Sequence, residues 1–243
     1  MKKLIPVFLC LMFISFSAFS QEPPLARADK LFAERDQIES LKQAISIAEE
    51  MRAKDQSNYE ALWRLAKFKF YLADREEDKS KKMKILQAAI ESAKKAVLAD
   101  GTRVEGHFWL GANDGEYADI KGVLESLGLV KTIRKEFEAA IALDPAYQNG
   151  AAYLALGQID ISLPRLLGGN EKRGIERLEQ GLKAAGNNSE IKIALSDVYE
   201  KKGRKDEAKR LLESVLSAND PVRTPGEMEE LRNKARLRMD KIK

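Results

Sequence analysis

One frame of small and apolar residues, repeated four times in register, limits what this chain can fold into. In K-T-I-R-K-E-F-E-A-A-I-A-L-D-P, residues Ile133, Phe137, Ala140 and Pro145 stand at offsets 0, 4, 7 and 12. The same offsets link Ala89, Ala93, Ala96 and Gly101, then Gly174, Leu178, Gly181 and Gly186, then Ala208, Leu212, Val215 and Asp220. Offsets of 4 and 7 keep to one face of an α-helix, where a small residue lets a second helix approach closely. The position at offset 12 falls beyond the helix, and Pro145 there is expected to start the next helix. A single match would carry little weight, but four in register demand a repeat architecture.

A first helix precedes each copy, over residues 62–72, 107–114 with Leu110-Gly111, 153–160 with Leu156-Gly157, and 193–201. A more degenerate copy spans about residues 28–53. Strand-like alternation is absent, and Gly and Pro fall between helices. The frame matches the tetratricopeptide repeat. It predicts an all-α solenoid of about five helical hairpins, capped by a last helix over 225–242, in one folded unit over residues 21–243.

The distance between the small residues of paired helices varies. Ser196 to Val215 is 19 residues, whereas Ala66 to Ala96 is 30, Gly111 to Ala140 is 29, and Gly157 to Gly181 is 24. Turns between hairpins stay short, so the extra length of three consecutive repeats must emerge along one edge. Insertions of this kind mark a binding or assembly face in repeat arrays. Their apolar content, Gly122-Val123-Leu124 and Leu163-Pro164-Arg165-Leu166-Leu167, argues against solvated filler, although surface loops also grow at little cost.

Residues 1–20 read as a secretory leader: Lys2 and Lys3 lead an apolar run over 4–16, and Ala18-Phe19-Ser20 suits cleavage before Gln21. A lipoprotein leader ending at Cys10 fits worse, because Leu9 is bulky and the apolar run before Cys10 is short. The mature chain would then be periplasmic and without cysteine. Its 40 basic and 38 acidic residues, the total less Lys2 and Lys3, are too evenly balanced for a nucleic-acid surface.

Catalysis finds little to work with. His107 is the sole histidine, and it stands where the repeat packs a side chain, so a hydrogen-bonded structural role is expected. Metal sites built on His or Cys are excluded by count, and Asn113, Asp114 and Glu116 lack the spacing of a calcium loop. The expectation is a binding protein without enzyme activity, metal or cofactor.

The stretch A-N-D-G at 112–115 reads as a helix end or kink, since two glycines within one helix weaken it. Asn113 and Asp114 would then face the elaborated edge or the concave surface with Tyr117, Lys121 and Arg134, or would cap the following helix. At Gly168-Gly169-Asn170, either an N-cap alone or an anion held by free N–H groups with Arg165, Lys172 and Arg173 is open.

The run G-x-N-x-G-x-Y-A-x-x-K-G, then S-L-x-x-V-K-x-I-R-x-E-F-E-A-A-I-A-L-D-P-x-Y, then G-A-x-Y-x-A-L-G and L-P-x-x-L-G-G-N, resembles the T-component of TRAP transporters over residues 106–183. That resemblance implies a periplasmic accessory protein that docks a TRAP solute-binding protein. It further implies a homo-oligomer, a trimer among the options, and a bound small hydrophobic or carboxylate ligand. The positions it carries over are Asn113, Gly115, Tyr117, Lys121, Gly122, Arg134, Glu136, Tyr153, Pro164, Gly168 and Gly169; of these, with Asp114 added, the binding expectation rests on Asn113, Asp114, Tyr117, Lys121, Arg134, Tyr153, Pro164, Gly168 and Gly169. Two other readings stand beside it: a tetratricopeptide scaffold for envelope assembly, and a carrier holding an apolar ligand among Phe108, Trp109, Tyr117 and Tyr153.

Overall fold

A computed structural model describes residues 22–242, so the expected leader and Cys10 lie outside the described residues. Among the described residues there are eleven α-helices and no strand. They pair in sequence as antiparallel hairpins: α1 (Pro24–Ala33) with α2 (Ile38–Lys54), α3 (Tyr59–Asp74) with α4 (Lys79–Ala99), α5 (Val104–Lys121) with α6 (Val123–Leu143), α7 (Tyr147–Ser162) with α8 (Glu171–Ala185), and α9 (Ser189–Lys201) with α10 (Lys205–Leu216). A final helix, α11 (Pro225–Met239), packs on α10 and α9. The chain is an all-α, tetratricopeptide-like solenoid.

Local chemistry starts the helices. The side-chain oxygens of Asn58, Asp78, Asn170 and Asn188 each accept from the backbone N–H three residues on, a cap worth about 1 kcal/mol. Thr224 and Glu227 form a reciprocal capping box at α11.

Small residues let the hairpins close. A Cβ on Gly174 would stand 2.8 Å from the carbonyl oxygen of Gly157, and one on Gly157 would stand 2.8 Å from Leu178 Cγ. A Cβ on Gly181 would meet Tyr153 Cβ of α7 at 2.8 Å, and one on Gly111 would meet the Phe137 ring at 3.2 Å. In α4 the frame positions Ala89, Ala93 and Ala96 are fully buried. The buried apolar residues form two clusters, one running from α1 to α7 and the other from α7 to α11.

Three expectations need correction. The A-N-D-G stretch does not end a helix: α5 continues to Lys121, and a Cβ at Gly115 would meet nothing within 4 Å. The extra length of the second and third hairpins is helix rather than loop. α4 and α6 have 21 residues each, and Gly122, at φ +88°, is the sole residue between α5 and α6. Only the fourth hairpin keeps a true insertion, the segment 163–170 with a 3-10 turn at Arg165–Leu167. Finally, Pro145 does not open α7. After Tyr147 the backbone makes a left-handed turn through Gln148, Asn149 and Gly150 at φ +48°, +56° and +74° before becoming regular. For Gln148 and Asn149 that conformation costs about 1–2 kcal/mol each.

The two ends of the solenoid meet. Arg35, in the turn after α1, donates from Nε and Nη2 to the two carboxylate oxygens of Glu227 at 2.8 and 2.6 Å, and from Nη2 to the Val222 carbonyl at 2.8 Å. Asp36 accepts from the Thr224 hydroxyl and from the Gly226 N–H at 3.1 Å. Arg35 also lies over the rings of Phe32 and Tyr71, 4.5 and 4.7 Å from their centroids. The superhelix thus closes on itself.

The two kinds of glycine separate experimentally. Gly174→Ala drives a methyl into backbone and is expected to cost about 2 kcal/mol or more, whereas Gly115→Ala is expected to gain about 0.5–1 kcal/mol of helix stability. Urea unfolding midpoints at constant slope report both.

Candidate functional site

The closed superhelix surrounds a groove of about 620 Å³. Its floor is aromatic. Phe70 and Tyr71 come from α3, Phe108 and Trp109 from α5, and Phe137 from α6. The rings touch in series: Tyr71 to Trp109 at 6.1 Å between centroids, Phe70 to Trp109 at 5.7 Å, Trp109 to Phe108 at 4.9 Å, and Phe108 to Phe137 at 5.7 Å. Phe32 extends the series into α1 through Tyr71 at 5.0 Å. The Trp109 indole N–H donates to the Tyr147 hydroxyl at 3.1 Å, which fixes the indole plane.

One wall is α7, through Gln148, Ala151, Leu154, Ala155, Gln158 and Ile159. The opposite wall is the closing segment: Val222, Arg223, Glu227, Glu230, Leu231 and Lys234. Gly115 also faces the open space, so its missing side chain widens the groove beside Phe70. This supplies the reason for a glycine that helix packing does not require.

The rim is mostly acidic. Glu227 is held by Arg35, Glu190 by Arg223, and Glu116 by Lys82 at 2.6 Å. Asp74, Asp119 and Glu230 also line the groove, and each is exposed with no ion-pair partner among the described residues. Lys234 is the one unpaired cation among the described groove residues.

The residues singled out from sequence do not assemble into one site. Asn113 is fully buried, its Nδ2 donating to the carbonyls of Trp109 at 2.7 Å and Ala66 at 3.2 Å, so it ties α5 to α3 rather than facing an edge. Asp114 is buried with no hydrogen bond or ion pair among the described residues, and burial, reinforced by Glu136 and opposed by Lys94, holds its carboxyl above the usual range. Neither residue caps a helix. Tyr117 accepts from Gln87 at 3.1 Å, with Lys121 lying 5.3 Å from its ring, on the α4 side of α5. Tyr153 faces a separate depression of about 330 Å³ with Arg173 and Arg177.

Arg134, Pro164, Gly168 and Gly169 do converge, in a structural knot around Asp160. That carboxylate is fully buried and is met by Arg173 at 2.5 and 2.8 Å, Arg134 at 2.6 Å and Arg177 at 3.2 Å. Burial alone would raise its pKa, but the hydrogen bonds from Arg173 and Arg134 outweigh it and hold it below the usual range. Arg173 and Arg134 also reach the Gly168 carbonyl at 3.0 and 3.4 Å, and the Gly169 N–H donates to the Pro164 carbonyl at 3.1 Å. A Cβ on Gly169 would lie 1.7 Å from the Leu163 carbonyl oxygen, so only glycine fits. Asn170 caps α8 as expected. His107 is buried, with Nδ1 2.6 Å from Glu136 and Nε2 3.0 Å from the Gly101 carbonyl, which is the structural role its register implied.

Among the described residues no His, Cys, Asp and Glu cluster could hold a metal ion, and no helix is long and apolar enough to cross a membrane. The groove residues missed from sequence include Phe70 and Tyr71, Asp74 and Asp119, the α7 wall, Glu190 and the strip 222–234. A signal existed for the first pair, since Phe70 and Tyr71 stand four and five residues after Ala66, as Gly115 and Glu116 do after Gly111.

These features define a tetratricopeptide-type helical scaffold with an aromatic groove. A family model described as "Regulator of microtubule dynamics protein 1-3" matches residues 24–158, and the chain belongs to that family. A tetratricopeptide repeat model matches residues 165–222. The chain is similar in fold to TTC0263, a thermophilic TPR protein in Thermus thermophilus, at 21% identity and TM-score 0.62 over 88% of this chain and 97% of that one. It is also similar to MamA, at 21% identity and TM-score 0.50 over 88% and 95%. No curated protein matches the chain. The resemblance to the TRAP T-component is overturned by the family match over 24–158. The solute-binding partner and the trimer that it implied lose their support with it.

Asp114 and Asp160 are expected to respond to pH in opposite senses. The contribution of Asp160, lowered in the fold, is complete above the ordinary carboxylate value of about 3.9 and is lost as pH falls through its folded value. Asp160→Asn removes the acceptor shared by three guanidiniums that are partly open to solvent and is expected to cost about 1–3 kcal/mol at neutral pH. The raised pKa of Asp114 marks a charge that opposes folding above its folded value. Asp114→Asn should therefore be more stable than the parent at neutral pH, and that advantage should vanish below about pH 4. Chemical denaturation across pH 3–8 measures both.

Proposed function

We propose that this chain is a protein-binding scaffold whose partner lies in the groove enclosed by α3, α5, α7 and α11, and that it has no catalytic role. The observation that carries this is the aromatic floor, five rings from three helices lining an open space kept wide by Gly115. Phe70 is the half-exposed ring of that floor, while Tyr71, Phe108, Trp109 and Phe137 are buried in the core and make it a rigid apolar surface that costs a partner little side-chain freedom. The left-handed turn at Gln148 supports the same reading, because backbone held at a cost beside a groove is a common mark of a working site.

The leader expected over residues 1–20 sends the scaffold out of the cytoplasm, so its partner is an exported protein. Regulation of microtubule dynamics is the description carried by the family; for this chain it supports a regulatory interaction with protein and nothing narrower.

A photo-crosslinking phenylalanine at Gln158, in the groove, is expected to give defined protein adducts in cells. One at Lys95, on α4, is expected to give none. Gly115→Leu fills the groove with little effect on the fold and should abolish the Gln158 adducts. Equal adducts from both positions, or adducts indifferent to Gly115→Leu, would overturn the proposal.

The same rings favour a second reading, a small apolar ligand held against Phe108 and Trp109. Native mass spectrometry of protein purified without detergent addresses this reading and the leader together. A chain beginning at Gln21 with no added mass is the result expected of an exported scaffold. A retained ligand mass lost in Gly115→Leu would favour the carrier.

A further inference from the structure

We infer that the groove accepts a polypeptide segment with large apolar side chains flanked by lysine or arginine. The inference rests on the scaffold reading above and adds the chemistry of the partner.

The apolar half of the match is the groove floor and α7 wall, where half-exposed Phe70, Ala151, Ala155 and Ile159 stand over the buried rings of Tyr71, Phe108, Trp109 and Phe137. The charged half is the rim. Asp74 and Asp119 occupy equivalent positions in consecutive hairpins, each eight residues after the small residue of its first helix, Ala66 and Gly111. The two carboxylates are therefore displayed one repeat apart along the same mouth of the groove, with Glu230 facing them from α11. None of the three has an ion-pair partner among the described residues.

Their placement does nothing for the helices that carry them. Asp74 is the last residue of α3, and Asp119 lies in the last turn of α5. A carboxylate at a helix C-terminus opposes the helix dipole, where a cation would be favoured. Two unpaired carboxylates at the unfavourable ends of adjacent helices, both beside an aromatic groove, are explained by a cationic partner. The remaining acids of the groove are already matched: Glu116 by Lys82, Glu190 by Arg223 and Glu227 by Arg35. Lys234, one turn after Glu230, is the single opposing charge. Unpaired carboxylates therefore outnumber unpaired cations, and an acidic segment would meet repulsion on both walls.

The test uses three fluorescein-labelled twelve-residue peptides and the full chain. The first carries Leu and Phe anchors flanked by Lys, the second replaces every Lys with Glu, and the third keeps the Lys but replaces the anchors with Ser. Fluorescence anisotropy at low and at 0.5 M salt is expected to show saturable binding of the first peptide alone, weakened by salt. The triple variant Asp74→Asn, Asp119→Asn, Glu230→Gln, with circular dichroism unchanged and an unfolding midpoint no lower than the parent's, should weaken it about tenfold, and Gly115→Leu should abolish it.

Equal binding of the acidic peptide, equal binding of the Ser peptide, an unchanged triple variant, or no binding by any peptide each overturns the inference. Groove crosslinks from Gln158 to a partner whose crosslinked segment lacks Lys and Arg would overturn it too, while leaving the scaffold reading intact. Loss of groove-specific crosslinks altogether would remove both.

Discussion

Helix α7 and helix α8 approach so closely that neither Gly157 nor Gly174 has room for a methyl group, and α5 meets α6 in the same way where Gly111 lies against the Phe137 ring. Once the paired backbones are drawn together at Gly157 and Gly174 and at Gly111 against Phe137, with Ala66, Ala93 and Ala96 fully buried in the second hairpin, the remaining faces of each first helix have fixed directions. One face turns to the next hairpin and another turns to the inside of the superhelix. Residues four, five and eight positions after the small residue then point inward in successive repeats, so that Phe70, Tyr71 and Asp74 share a surface with Gly115, Glu116 and Asp119. Helix packing and groove composition follow from one geometric fact.

The inside surface is where the fold gives up stability. Gly115 weakens α5, two carboxylates sit at the wrong ends of their helices, and Gln148 and Asn149 hold a left-handed backbone. The second helices show the opposite tendency: in α4 and α6 the added length is regular helix, although a loop would also have bridged the hairpin. Local departures from helical preference gathered around one cavity, with conformity elsewhere, distinguish a working surface from a surface left to drift.

Much of this was legible in the sequence, because small residues at offsets of 4 and 7 have one reading on a helix, and four copies in register fixed the hairpins, the capping helix and the buried role of His107. The site was less legible. Asn113 and Asp114 look like surface polar residues between two glycines, yet helix α5 runs through them and turns both inward; the glycine that suggested a break is there to leave space. The motif taken for TRAP transport is composed largely of residues that hold hairpins together, such as Leu156-Gly157, Pro164 and Gly168-Gly169, and such residues follow the repeat rather than the function. Arg35 and Glu227 are 192 residues apart, and no periodicity links them.

That last contact changes the mechanics of the chain. In an open repeat array each hairpin touches only its neighbours, so the ends can fray independently and stability builds up link by link along a line. Joining the turn after α1 to the start of α11 turns the line into a ring. Neither terminus can peel away without breaking a buried ion pair and exposing the rings of Phe32 and Tyr71 beneath it. The closure joins residues 192 positions apart and so adds a long-range contact to an otherwise local topology. A molecule built from local parts thereby has its two ends coupled, each holding the other in place.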